Sequence, residues 1–579
     1  MVKARQGGSV ARRHGKDLLL GVLMVLTACV PSRPGRVQPP TEWRHRTPQA
    51  PATGTRAMVV SQHMLASQSG AIMLRVGGNA IDAAVAVGMA LAVVYPGAGN
   101  IGGGGFLLYR SADGQVFALD YRERAPGAAS RGMFLDSAGN VTNRSLLGAL
   151  AAGVPGSVAG MWEMHQRFGS LPWADVLAPA IALADAHVLD SSSARSLNGA
   201  RRRFAQFPSS AAAFVREREW QRGDTLRQPD LAATLRRIAE WGRDGFYRGE
   251  TARLVAEEMR RSGGIMTEAD LAAYQPSWRI PLQTMYRGHQ VLTMPPVSGG
   301  GATLIQALNI LAGFRMPSFG SAQHQHLLIE AQRRAFADRN RWLGDPDFVA
   351  VPIARLTSRA YADSQRATIR RDRATPTEAP LLAEGQHTTH YTVTDSAGNI
   401  ASITTTLNTG YGSKVVVGGA GFLLNNEMDD FTTLPGTVNA MGIRHLGEAN
   451  TIVPGKRMLS SMTPTIVLGP AGRPLIALGS EGGAHIISAV LTVVTAVVDH
   501  RMSLAEALHA PRVHHNALPD SVSWENDGIR PEVRRALERM GHVFEVEGGG
   551  GGTVQAIRWT PRGLEGVSDP RGSRGAIGW

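Results

Sequence analysis

The chain has 579 residues, of which 43% are hydrophobic and 18% charged, with a single cysteine and a formal charge of +13. That balance excludes a disordered chain and an internally disulfide-linked one, and the length leaves ample material for a large core. The positive charge would suit nucleic acid, an anionic surface or acidic small molecules, but no nucleic-acid motif and no basic helix with interleaved aromatics accompanies it; arginines scattered as in RRSGG and RATIRRDRAT read as a solvated surface, and no nucleic-acid partner is expected.

The N-terminal stretch ARRHGKDLLLGVLMVLTAC has a basic region, an apolar run over residues 18–26, then Thr27, Ala28 and Cys29. The run is shorter than the roughly 20 apolar residues that span a bilayer, and it fits a secretory signal. LTAC resembles the lipobox of bacterial lipoproteins, in which the cysteine is lipidated and becomes the first residue. Residues 1–28 are therefore expected to be a lipoprotein signal peptide and Cys29 the lipidation site, with the protein exported and attached in the periplasm or at the outer membrane; an ordinary signal peptide that happens to contain a cysteine is the alternative. The pair Arg12 and Arg13 hints at twin-arginine export, without support from its flanks. Residues 29–57 hold six prolines and read as a stiff, extended tether.

From Met58 the pattern is globular. In GGNAIDAAVAVGMALAVVYPGAGNIGGGGFLLYR, Asn79 is a plausible N-cap for a helix over 80–94 that is apolar nearly all round, as an interior layer requires. The glycines at 102–105 read as a sharp turn beneath a strand; a phosphate loop would need a GK[ST] and a following helix. GFLLYR and QVFALDYRERAP read as strands. Residues 145–345 are mostly helical by their 3.6-residue periodicity, interrupted by a strand and turn in YRGHQVLTMPPVSGGG. The charged stretch 367–387 reads as an exposed or processing segment. Beyond it, SKVVVGGAGFLLNN, PTIVLG and PLIALGSEGG read as strands, AHIISAVLTVVTAVVDH and SLAEALHAP as helices, and the glycines at 548–552 as a loop tip. Helix layers on a sheet sandwich follow from this order.

Between these regions, TTHYTVTDSAGNIASITTT reads as a hairpin with Gly398 in the turn. If Asp395 pairs with Asn399, Thr388 lies opposite Thr406, and a bulge would shift this by one. Opposed Cβ atoms lie about 4.5–5.5 Å apart, within hydroxyl–hydroxyl reach. Threonines are common in strands for their β-propensity alone. The alternative is a nucleophile activated by its own α-amine once the chain is cut before it; that amine has a reference pKa of about 7.7–8.0.

Several long motifs carry a resemblance beyond these local readings. TTHYTVTDSAGNIASITTTLNTGYGS…GFLLNNEMDDF, GGNAIDAAVAV…IGGGGF, DYRERAP, PPVSGGG, EAQRRAFADRNRWLGDPDF, MLSSMTPTIV and DPRGSRGAIGW together resemble the γ-glutamyltranspeptidase family, in order, over about residues 58–579. The resemblance implies an α+β fold, the four-layer αββα sandwich of N-terminal-nucleophile hydrolases. It implies self-cleavage into a large subunit, 58–387, and a small one, 388–579, that stay together as a heterodimer. Thr388 would be the nucleophile, Thr406 its hydrogen-bond partner, and Gly482 and Gly483 the oxyanion donors. Arg122, Ser460 and Ser461 would hold the α-carboxylate of a γ-glutamyl group, and Asn408, Glu427 and Asp430 its α-amine. Glutathione and related γ-glutamyl compounds would be donors, and water, amino acids or peptides the acceptors; no metal or organic cofactor is implied. A glutaryl acylase of the same fold and a non-catalytic surface lipoprotein are the rivals. Two positions depart from the family pattern: Glu481 stands where a proline usually precedes the glycine pair, and Met441 where many bacterial members have a tyrosine covering the pocket.

Overall fold

The computed structural model describes residues 50–376, 388–525, 528–545, 551–573 and 575–579. The expected signal peptide, Cys29, most of the tether, residues 377–387 and most of the glycine run lie outside the described residues.

Two seven-stranded antiparallel sheets form the centre. One runs in the order Ala52–Gly54, Gly563–Ser568, Thr553–Thr560, Pro474–Glu481, Thr465–Leu468, His289–Thr293, Leu282–Tyr286. The other runs Gly575–Gly578, Met58–Ser61, Thr389–Thr394, Ile400–Thr406, Gly104–Arg110, Val116–Tyr121, Ser277–Arg279.

Alternation of side chains along the strands assigns each face a partner. Phe106, Leu108 and Ile400 from the second sheet meet Leu292, Ile466 and Ala477 from the first in the core between them. The opposite face of the second sheet, with Tyr391, Val393, Ala401 and Ile403, packs under the Ala80–Val94 helix. The outer face of the first sheet, with Ile476, Leu478, Val554 and Ala556, packs under the helices Gly299–Ala312 and His485–Val498. These are the four layers of an αββα sandwich.

The Ala80–Val94 helix opens at Asn79 through a capping box with Asp82, and every residue in it is buried. Its small side chains set how near the sheet it lies: a Cβ at Gly88 would sit 2.6 Å from the Tyr391 hydroxyl.

The structure departs from expectation in three places. Ala52–Gly54, inside the expected tether, already belongs to the fold, because it pairs with Gly563–Ser568 and the N–H groups of Thr55 and Arg56 donate to the Trp579 carbonyl. Residues 413–426 are not strands. They form a loop closed by a single bridge between Val416 and Leu423, because Gly419 and Gly421 turn it back with φ of 74° and 75°. The strand at 289–293 is half of a hairpin whose two-residue turn is Arg287–Gly288, both at positive φ; an arginine in that first position lacks the Asn-Gly or Asp-Gly signal.

Candidate active site

The hairpin Thr389–Thr394/Ile400–Thr406 closes as its sequence suggests. Asp395 N–H donates to the Asn399 carbonyl, and Gly398 takes φ 93°. Thr389 pairs with Thr405, so the same register sets Thr388 opposite Thr406. The threonine triplet divides its work. Thr404 hydrogen-bonds His390 Nδ1 at 2.8 Å, and Thr405 Oγ1 donates to the Gly104 carbonyl at 2.7 Å. Thr406 Oγ1 accepts the N–H of Asn408 at 2.7 Å, across a backbone that Asn408 turns with φ 76°. The glycine run makes room for this: a Cβ at Gly103 would lie 2.1 Å from the Thr406 carbonyl oxygen.

Thr388 and Thr406, both nearly fully buried, line a cavity of about 20 Å³, little more than a water requires. Asn408, Glu427 and Asp430 reach it from the loop after the hairpin, Ser460 and Ser461 from the segment before Thr465–Leu468, Gly483 from the end of Pro474–Glu481, and Arg122 from the end of Val116–Tyr121. Nine of the predicted site residues thus meet at one place. Gly482 is next to it in sequence, and Cys29 lies outside the described residues.

Arg122 is the centre of charge. Its Nη1 lies 2.7 Å from Glu427 Oε2 and 3.3 Å from Glu123 Oε2, and its Nη2 lies 2.5 Å from Asp430 Oδ2. Burial opposes its charge, but Glu427, Glu123 and Asp430 together hold its pKa above the ordinary value. Burial also raises the pKa of the acids, Glu427 most clearly, against the pull of Arg122, and repulsion from neighbouring acids adds to the rise at Glu427 and Glu123. Neither carboxylate oxygen of Glu427 has a well-aligned hydrogen bond, although the side chain is fully buried. Asn408 Nδ2 donates to the Asn426 carbonyl at 3.0 Å.

Ser461 Oγ accepts from Arg339 Nη2 at 2.7 Å, and Ser460 Oγ accepts the N–H of Met462 at 3.1 Å. Arg339 was not expected from the sequence. It belongs to EAQRRAFADRNRWLG, whose periodicity announces only a helix, and Ala322–Trp342 carries it into the cavity wall. No carboxylate among the described residues forms an ion pair with it, and burial lowers its pKa to about 10.

Gly482 and Gly483 turn the end of Pro474–Glu481 into the His485–Val498 helix with φ of 125° and 57°. The turn presents backbone N–H groups at a helix N-terminus, an arrangement suited to an oxyanion. The preceding Glu481 points elsewhere: it accepts from the Thr553 hydroxyl at 2.6 Å and the Tyr95 hydroxyl at 3.2 Å. Burial pushes its carboxyl up to about 7, against those two hydrogen bonds. Met441 lines the cavity from the loop after Asp430 and packs beside Ile443 in the outer-layer core. It covers the site by apolar contact, where a tyrosine would also offer a hydroxyl.

For metal, the described residues offer one buried cluster, His326, Glu330 and His542. Its carboxylate is already held by Arg333 at 3.2 Å and Arg334 at 2.7 Å, so two guanidiniums oppose a cation there. The Thr388 cavity instead brings together a buried threonine hydroxyl, the glycine turn at a helix N-terminus, and one arginine opposed by two acids.

The sequence matches the family described as gamma-glutamyltranspeptidase over residues 66–579. It is 44% identical to the glutathione hydrolase proenzyme of Escherichia coli over 90% of this chain and 91% of that one. The corresponding proenzyme of Pseudomonas aeruginosa is 45% identical over 86% and 90%. The acylase ACY 1 proenzyme of a Pseudomonas species is 39% identical over 89% and 91%. Among solved structures, a cephalosporin acylase from Bacillus halodurans superposes with a TM-score of 0.83 at 28% identity, over 93% of this chain and 99% of that one. A Helicobacter pylori gamma-glutamyltranspeptidase chain matches with a TM-score of 0.55 at 44% identity, over 57% and 95%.

Proposed function

The chain belongs to the γ-glutamyltranspeptidase family and is a γ-glutamyltransferase and glutathione hydrolase, and we propose that Thr388 is its nucleophile, released by cleavage of the His387–Thr388 bond. The relatives named above are proenzymes. The Helicobacter chain spans 57% of this one, a length that suits one fragment of a chain divided at that position.

Once freed, the α-amine of Thr388 takes the proton from its own Oγ as that oxygen attacks the γ-carbonyl of the donor. Negative charge moves to the carbonyl oxygen, toward the N–H groups of Gly482 and Gly483. Collapse of the tetrahedral intermediate breaks the C–N bond; the amine of Thr388 returns the proton to the departing nitrogen, releasing Cys-Gly from glutathione. The γ-glutamyl ester on Thr388 is then cleaved by water, giving glutamate, or by an amino acid or peptide amine, giving a new γ-glutamyl amide. Thr406 orients the nucleophile from across the hairpin. Arg122, Ser460 and Ser461 hold the donor α-carboxylate, while Glu427, Asp430 and Asn408 hold its ammonium, fixing the reacting carbon over Oγ.

One observation carries this reading: Thr388 shares its cavity with Arg122 and with the two acids, Glu427 and Asp430, that pair with it. A glutaryl group has no α-ammonium, so an acylase specific for it has no use for Glu427 and Asp430. The acylase relatives keep the second reading in view, and paired substrates decide between the two. γ-Glutamyl p-nitroanilide is expected to be hydrolysed at least 100-fold faster than glutaryl p-nitroanilide, in line with about 3 kcal/mol for an unfilled charged site. Equal turnover would reverse the assignment.

We also propose export and lipid attachment at Cys29. No helix among the described residues is long and apolar enough to cross a membrane. Radiolabelled palmitate is expected in the wild-type protein and not in Cys29→Ser; label in both would remove the anchor.

A further inference from the structure

A second cavity, of about 650 Å³, flanks the Thr388 site. Neighbouring residues of the chain line the one and the other. Asn408 and Met441 face the first, and the adjacent Thr409, Gly410 and Ala440 face the second. Tyr95, which also lines the second cavity, donates its hydroxyl to Glu481, the residue before the glycine pair.

The charge of this cavity is one-sided. Its lining includes Lys414 and Arg203 and no aspartate or glutamate, and among the described residues no carboxylate pairs with Lys414. Lys414 is 4% exposed and is held at φ 67°, a conformation that favours glycine. Its Nζ donates to the Gly412 carbonyl at 2.6 Å and to Thr409 Oγ1 at 3.1 Å, which uses two of the three N–H groups of an ammonium. Burial, and after it the nearby Arg203, depress its pKa to about 7, as befits a cation without a counter-charge. A second polar group on the wall has spare capacity. His187 Nδ1 lies 3.0 Å from the Leu183 carbonyl, which can only accept. Nε2 is therefore the bare acceptor, and it is buried without a partner.

We propose that this cavity receives the peptide on the amine side of the scissile bond, with Lys414 and Arg203 binding its C-terminal carboxylate. The inference rests on the γ-glutamyl reading above and specifies what that reading leaves open. A peptide leaving group, or an acceptor approaching in the reverse direction, has its amine committed to the reacting carbon. What remains to be recognised is a carboxylate, amide N–H groups and side chains. Those correspond to the two cations, the bare imidazole nitrogen and the apolar stretch formed by Leu147, Leu189 and Leu197.

Hydrolysis of glutathione and of its C-terminal carboxamide, each measured as kcat/KM, tests this. In the wild-type enzyme the free carboxylate is expected to be preferred. Lys414→Met is expected to lower that preference by about tenfold, the size of a charge-assisted hydrogen bond. Arg203→Ala, at an exposed position that leaves folding untouched, is expected to lower it by about threefold, as suits a more solvated charge. The preference is a ratio within one enzyme, so a loss of folded protein cancels. A ratio unchanged in both variants would overturn the subsite while leaving the γ-glutamyl reading standing. Failure of the wild-type enzyme to cleave either compound would instead overturn the underlying reading.

Discussion

Arg122 lies 2.7 Å from Glu427 and 2.5 Å from Asp430, so on the proposed reading a γ-glutamyl zwitterion would bind by exchanging ion pairs. Its carboxylate takes the guanidinium and its ammonium takes the acids. The exchange leaves no buried charge unpaired, which a site built from one arginine or one acid could not achieve. Arg122→Lys keeps the charge but loses the planar fork; kcat/KM for a γ-glutamyl anilide is expected to fall about 10- to 100-fold, mostly through KM, the equivalent of about 1.5–3 kcal/mol. An unchanged KM would place the donor carboxylate elsewhere. Glu481 gives a separate test by stability. Its folded pKa, about 7, lies above its ordinary value of 4.5. Between those values the folded chain binds more protons than the unfolded one, so its contribution to stability declines as pH rises through that window and stays lost above it. The loss is at most about 3 kcal/mol. Thermal melts of Glu481→Gln are expected to change less between pH 5 and pH 8 than those of the wild-type protein. Parallel pH profiles would mean that Glu481 is ionised in the fold throughout.

The hairpin Thr389–Thr394/Ile400–Thr406 is the element that brings the two hydroxyls together, and Gly103 lets the neighbouring loop lie against it. Gly103→Ala would drive a methyl into the Thr406 carbonyl. It is expected to destabilise the protein by about 1–3 kcal/mol, the usual cost of overpacking, and to slow maturation. A melting temperature equal to the wild type would show that the loop has slack. This element was also the most legible in the sequence, because a short turn with one glycine fixes register locally and Asp395 and Asn399 count directly to Thr388 and Thr406. The Ala80–Val94 helix was legible for the same kind of reason, an N-cap followed by unbroken small apolar residues. What the sequence did not display depends on partners far along the chain. Ala52–Gly54 is a strand only because Gly563–Ser568 is beside it, and the strands at 553–560, 563–568 and 575–578 follow a glycine run that hides their pattern. Residues 413–426 carry β-branched and aromatic residues, yet two left-handed glycines make them a loop. Arg339 and the cavity at Lys414 are products of packing between elements, and no local motif announces them.

At the scale of the molecule, both sheets interleave strands from either side of Thr388. In one, Met58–Ser61 and Thr389–Thr394 are neighbours, as are Ile400–Thr406 and Gly104–Arg110; in the other, Thr465–Leu468 pairs with His289–Thr293. Cleavage at residue 388 therefore cuts a connection without removing a layer, and the two fragments are expected to elute together in gel filtration at the mass of the intact chain and to part only in denaturant. The role proposed for Thr388 needs its amine free, which makes the cut the centre of the account. Intact mass spectrometry of the denatured wild-type protein and of Thr388→Ala, with γ-glutamyl anilide turnover recorded on the same samples, tests it most directly. The expected result is two fragments in the wild type, the smaller beginning at Thr388, against one uncut and inactive chain in the variant; an uncut wild-type protein that turns over the anilide, or a variant that still matures and acts, would contradict it.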